Sequence, residues 1–226
     1  MRKRIRELNS REYEHPFDKT TLEKLEAIPV LPQIIKKLYE KSFERIDRLQ
    51  NTGSYLKINN DNLQKDYSLY SEACAILDIE KIPDLFLSFD PRINGYTSGV
   101  EKPFIVLTTG AIDLLDDDEL MFLIGHELGH IKARHVLYTV MAQNFSLVAN
   151  LLGNLTFGIG GVAATGVEIA LLHWYRMSEL SCDRAGLLTC QSKAAAINFF
   201  IKLNLPSSYN HAAFQESFLR QAKDFE

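Results

Sequence analysis

The stretch Glu119–His135, ELMFLIGHELGHIKARH, constrains what this chain can fold into more than any other. Leu120, Met121, Phe122, Leu123 and Ile124 lead into it and leave no polar face, so it is expected to form a buried helix. On a helix His126 and His130 are four apart, so both imidazoles leave one face, one turn apart. That spacing lets two ring nitrogens reach one Zn²⁺. Glu127 is the next residue along, where it can act on a water beside the metal without being a ligand. Two histidines and a glutamate in an apolar helix are costly unless they are compensated, so partners are expected elsewhere in the chain.

A third ligand is needed. The metzincin pattern would place a glycine at position 133 and a histidine at position 136. The chain has Ala133 and Val136, which excludes that class. His135 is nine residues from His126, about 180° round an ideal helix. It is assigned to the surface or to a supporting position, not to the metal. The better candidate lies in Tyr175–Gly186, YRMSELSCDRAG. Glu179 and Asp183 are four apart and share a face of a second helix. Alone, such a pair reads equally as a solvated face. Beside the first motif, Glu179 completes a His, His, Glu set with an open fourth position, the arrangement of a catalytic zinc. Asp183 can accept the second N–H of a ligand histidine and fix its tautomer.

H-E-L-G-H followed by E-L-S-C-D-R-A-G, with the lead-in VLTTGAIDLLDDDELMFLIGHELGHIKARH, resembles the HtpX and CAAX-prenyl-endopeptidase family of gluzincin metallopeptidases. That family pairs H-E-x-x-H with E-x-x-x-D and usually has alanine before the Asp, where this chain has Cys182. The similarity runs from about Asp84 to Leu188. It implies one zinc per chain and endopeptidase activity on protein or peptide substrates, without fixing a particular substrate; protein quality control is one role open to such an enzyme. It also implies that Ile93–Gly99, INGYTSG, matches the edge strand that binds substrate backbone, with Asn94 and Gly95 beside the zinc. Family members commonly continue with a His-Pro segment and a later Arg. Neither follows here, so a short relative or a truncated chain is expected.

A length of 226 residues is enough for one domain with a substantial core. A net charge of −4 argues against a nucleic-acid partner. Cys74, Cys182 and Cys190 form an odd set without C-x-x-C, which argues against a disulfide scaffold and for a reducing compartment. Arg2, Lys3, Arg4 and Arg6 precede no apolar core, so no signal peptide is expected and the chain is placed in the cytoplasm.

The expected fold is α+β, mainly helical: a minimal gluzincin metallopeptidase domain with a small sheet whose edge strand borders the active-site cleft. Residues 1–50 are expected to be an N-terminal helical arm packed on or over a catalytic domain at 51–226. Residues 1–16 are read as poorly packed. Thr20 with Glu23 reads as a capping box, and a second helix is expected from Pro32 to about Gln50. A short strand at Tyr55–Ile58 precedes a helix opened by Asp61. Strands are expected at Asp84–Phe89 and Phe104–Thr108, either as a plain hairpin or with an edge open to an extended peptide. Asp113 or the run Asp116–Asp118 caps the metal-motif helix.

The stretch 136–167 holds no Asp, Glu, Lys or Arg, and Gly158, Gly160 and Gly161 suggest two arms. It reads as a packed hairpin or as a membrane-contacting segment; a span needs about 20 apolar residues. The second motif helix is expected to continue through Ala194–Leu203 to Pro206. His211 in the loop SSYNHAAF is either exposed or an oxyanion-stabilising group. Two functions follow: a zinc endopeptidase with Glu127 as general base, or a latent or inactive zinc-binding scaffold, with the N-terminal arm covering the cleft as one route to latency.

Overall fold

The computed structural model describes residues 2–27, 53–143, 161–205 and, near the C-terminus, 214, 216–217 and 220–221. The helix expected at 32–50, the glycine break at 158–160 and His211 lie outside these residues. The fold is α+β and mainly helical, with one four-stranded sheet.

Helix α1, Pro16–Glu26, begins four residues before the expected cap. Pro16 occupies the first turn, where its fixed φ suits a helix and its missing N–H costs nothing. Thr20 instead donates its hydroxyl back to the Pro16 carbonyl at 2.8 Å. The segment before α1 is well packed, contrary to expectation. Leu8 and Tyr13 join the core. Lys3 exchanges two hydrogen bonds with the Gln191 side chain, and Arg2 pairs with Glu72 and Asp118. Most of these contacts are long-range and leave no period in the local sequence.

Strand β1, Leu56–Ile58, precedes α2, Gln64–Ile76, which buries Tyr70, Ala73, Cys74 and Ile76. Strands β2, β3 and β4 are Asp84–Ser88, Gly95–Ser98 and Phe104–Thr108. Their order is β1-β2-β4-β3. β2 and β4 are parallel neighbours, with Asp84 opposite Phe104, so they do not form a hairpin. The hairpin joins β3 to β4 and puts β3 on the edge. All five residues of β4 are buried, as the unbroken run FIVLT requires of a central strand.

Helix α3, Thr109–Leu114, leads to α4, Asp117–Lys132. Asp116 caps α4: its carboxylate accepts from the Asp118 and Glu119 amides, and Glu119 accepts from the Asp116 amide. The acidic run is therefore a capping box. Helix α5, Val136–Gln143, follows, then α6, Gly161–Cys190, and α7, Lys193–Asn204. The expected continuation from α6 into α7 is broken. Gln191 adopts a left-handed φ of 53° and Ser192 caps α7 through the Ala195 amide. No helix among the described residues is long and apolar enough to cross a membrane.

Helices α4 and α6 cross through small residues. A Cβ added at Gly125 would lie 2.5 Å from Thr189 Cβ, and one at Gly129 would lie 2.9 Å from Ala185 Cβ. Helix backbones approach this closely only where side chains are absent or small. Cys182 belongs to this seam, 0% exposed, and its small size suits the place of the family's alanine.

Candidate metal centre

The crossing carries the two motifs into one cleft of about 430 Å³. His126 and His130 project from α4, Glu179 and Asp183 from α6. The two Nε2 atoms are 3.3 Å apart. Glu179 Oε2 is 3.3 Å from His126 Nε2, and Oε1 is 3.7 Å from His130 Nε2. A tetrahedral ion with bonds of roughly 2.0–2.1 Å separates its donors by about 3.3–3.4 Å, so this donor set fits one. His126 Nδ1 lies 3.0 Å from Asp183 Oδ1, which leaves the Nε2 lone pair directed at the cluster.

The electrostatics favour a cation. Burial by itself would lower His126, but its contacts with Asp183 and Glu179 outweigh it and lift the imidazole to about 10. Burial and the neighbouring His126 hold His130 well below its ordinary value. Burial raises Glu127. The carboxylates that would hold a proton on His126 would equally hold a divalent ion in its place.

Cys182 also has its sulfur within 4.8 Å of ring nitrogens of His126 and His130, so a His, His, Cys set is the other possible donor set. Its thiol is fully buried and pushed well above its usual value by burial and by the carboxylates nearby. Its sulfur sits 3.6 Å from His135 Nδ1. Glu179 has an oxygen within 3.7 Å of each histidine and lines the cleft; Cys182 does not line it.

Strand β3 forms the opposite wall. Gly95 lies over α4, where a Cβ would come 3.2 Å from Leu123 Cδ1. Asn94 lines the cleft, but its amide donates to Thr108 Oγ1 and its carbonyl accepts from the Thr108 amide. Alternation along an antiparallel pair then turns the main-chain groups of Gly95 and Thr97 toward the free edge. The Gly95 amide meanwhile donates to the Asn94 side chain at 3.0 Å. Thr97 is the site residue that motif reading overlooked. Its hydroxyl donates to Glu127 Oε2 at 2.8 Å and lies 3.0 Å from the Glu127 carbonyl. A period of two from Gly95 would have found it.

His135 is not at the surface: it is 0% exposed. The 180° estimate assumes an unbroken helix, yet α4 ends at Lys132. Arg134 is left-handed, φ 59°, and the His135 amide bonds back to the His130 carbonyl at 2.9 Å. This helix ending folds His135 under His130, with ring centroids 5.5 Å apart. No described residue from 2–27 lines the cleft, so covering by the N-terminal arm, offered above as one route to latency, is not seen for that segment.

The profile of peptidase family M48 matches residues 68–221. The chain is 35% identical over 226 residues to the plastoglobule-localized metallopeptidase 48, chloroplastic, of Arabidopsis thaliana, covering 98% of this chain and 64% of that protein. It is 30% identical over 162 residues to a protease HtpX homolog of Pelotomaculum thermopropionicum, 58% of each chain. A protease HtpX homolog of Helicobacter pylori is 32% identical over 92 residues, 39% of this chain and 30% of that one. The chain thus spans less than two thirds of the length of these relatives. No solved structure matches it significantly.

Proposed function

The chain belongs to peptidase family M48, and from that premise we propose that it is a zinc-dependent endopeptidase acting on protein or peptide substrates. The observation that carries the reading is the convergence of His126, His130 and Glu179 at 3.3–3.7 Å beside Glu127 in one cleft. These three would hold the zinc, one per chain. Bound there, zinc supplies a Lewis acid that polarises a carbonyl and makes a water acidic near neutral pH. Glu127 takes the proton from the attacking water and returns it to the leaving amine. Burial in the apolar stretch of α4 raises its basicity toward that task. Asp183 holds the His126 ring through Nδ1. An extended peptide would pair with the free edge of β3 at Gly95 and Thr97, with the Asn94 side chain beside it.

Protein quality control is the broader role we assign. The Arabidopsis relative is named for the plastoglobule. Membrane-surface contact, if the chain makes it, is assigned to the apolar stretch 136–167, beyond which Ile169 and Leu172 on α6 are exposed.

The test is cleavage of unfolded casein by the purified chain, before and after removal of metal. Cleavage that disappears on chelation and returns with zinc is expected. Casein left intact by a zinc-loaded chain would favour the scaffold reading instead.

Thr97→Val is expected to lower kcat about tenfold, since it removes one hydrogen bond that aims Glu127, worth about 1.5 kcal/mol to a charged group. KM should change little and Thr97→Ser should restore the rate. Unchanged kcat in Thr97→Val would dismiss this contact as incidental.

A further inference from the structure

Behind the cleft lies a buried polar cluster that no step of the reaction uses. Its centre is Asp18 on α1, 0% exposed. Asp18 Oδ1 accepts from the Trp174 indole at 2.8 Å, and Oδ2 accepts from the Ser181 hydroxyl at 2.5 Å. His135 Nε2 lies 3.1 Å from Asp18 Oδ2, off the line of a good hydrogen bond. A buried carboxylate is costly unless several donors hold it. Burial pushes the Asp18 carboxyl up, but the contacts with His135, Ser181 and Trp174 more than offset this, and it stays below its usual value. The charge is therefore kept.

What this charge holds is His135. The His135 ring has Asp18 at Nε2, the Cys182 sulfur 3.6 Å from Nδ1, and the Trp174 ring 5.5 Å away edge-on. It also stands edge-on to His130, at 5.5 Å. His130 in turn meets the His126 ring at 5.1 Å. The His130 ring is thus bounded by His126 toward the metal donors and by His135 behind. If His135 were free to turn, His130 would lose that second wall.

We propose that Asp18 is a positioning residue for the metal centre: from the first helix it fixes His135, and through the His135 ring it fixes His130. The inference rests on the metal role of His130 proposed above. It makes α1 part of the site, joined to it across more than a hundred residues of chain. Removal of the segment containing α1 would then weaken metal binding and would not unmask a latent enzyme.

The competing account is that Asp18 only fastens α1 to the core. Zinc affinity separates the two, measured by competition with a chromogenic chelator on the full chain. The thermal midpoint of each metal-free form is measured beside it. The variants are Asp18→Asn, which keeps the shape and removes the charge, Asp18→Ala, and Leu8→Ala. The last loosens the packing of the N-terminal segment without touching the cluster.

Loss of an outer partner of a ligand histidine costs about 10–100-fold in metal affinity. Asp18 acts one residue further out, through His135, so Asp18→Ala is expected to raise the zinc Kd by about tenfold, the low end of that range, and Asp18→Asn by less. Leu8→Ala should lower the midpoint and leave Kd within about twofold. Equal Kd values for Asp18→Ala and Leu8→Ala would overturn the proposal while leaving the zinc site standing. A wild-type chain that binds no zinc would instead remove the metal reading itself.

Discussion

Glu127→Gln is expected to reduce peptide hydrolysis by about 10²–10⁴-fold, the usual contribution of a positioned acid–base group. Glutamine has nearly the same shape and can still accept the Thr97 hydroxyl bond that Glu127 Oε2 accepts now. It cannot take a proton from water. None of the donor atoms of His126, His130 or Glu179 is altered, so zinc content should match the wild type. Initial rates on casein and bound zinc, measured on the same preparations, check both halves. Wild-type rates in the variant would refute the general-base role. Loss of zinc would mean that Glu127 is part of the donor set.

The second large effect is expected at Gly125, which precedes His126 but turns toward α6 and has no side chain to take part in the reaction. A Cβ there meets Thr189 Oγ1 at 2.3 Å and Thr189 Cβ at 2.5 Å. The hydroxyl could rotate aside, but the Cβ is fixed to the α6 backbone. Gly125→Ala must therefore push α4 and α6 apart. Overpacking of this kind costs about 1–3 kcal/mol. In a chain of this size each kcal/mol lowers the midpoint by about 2–4 °C. Zinc affinity should fall as well, because the donors come from both helices and tolerate only about 0.5 Å of misplacement. Thr189→Gly added to Gly125→Ala should recover much of the loss. A neutral Gly125→Ala, in thermal midpoint and zinc affinity alike, would show that the crossing has slack.

The part of the site that was legible in the sequence is the part written in helical spacing. His126 with His130, and Glu179 with Asp183, each sit four apart, and four residues on a helix is a statement about a face. Their meeting was legible only because both pairs offered chemistry that needs the other. Of the two places open to His135, the surface fell and the supporting position held; the surface reading came from carrying the same rule past the end of the helix. The left-handed turn at Arg134 carries no glycine to announce it. Thr97 was within reach of strand alternation from Gly95. Asp18 was not: it touches Trp174, Ser181 and His135, all more than 110 positions away in the sequence. Nothing local distinguishes it from a solvated helix acid. The parallel pairing of β2 with β4 was hidden for a related reason. Two apolar runs separated by a turn-rich segment suggest a hairpin until β3 is seen to take the edge.

The crossing of α4 and α6 also bears on how such a chain can diverge. Its geometry is set by Gly125, Gly129, Ala185 and Thr189, not by what joins the helices. The connection between His130 and Glu179 is a closed loop fastened at its base. Lengthening such a loop is cheap, about 0.6 kcal/mol for each doubling. The number of residues between His130 and Glu179 can therefore vary while the donors stay in register.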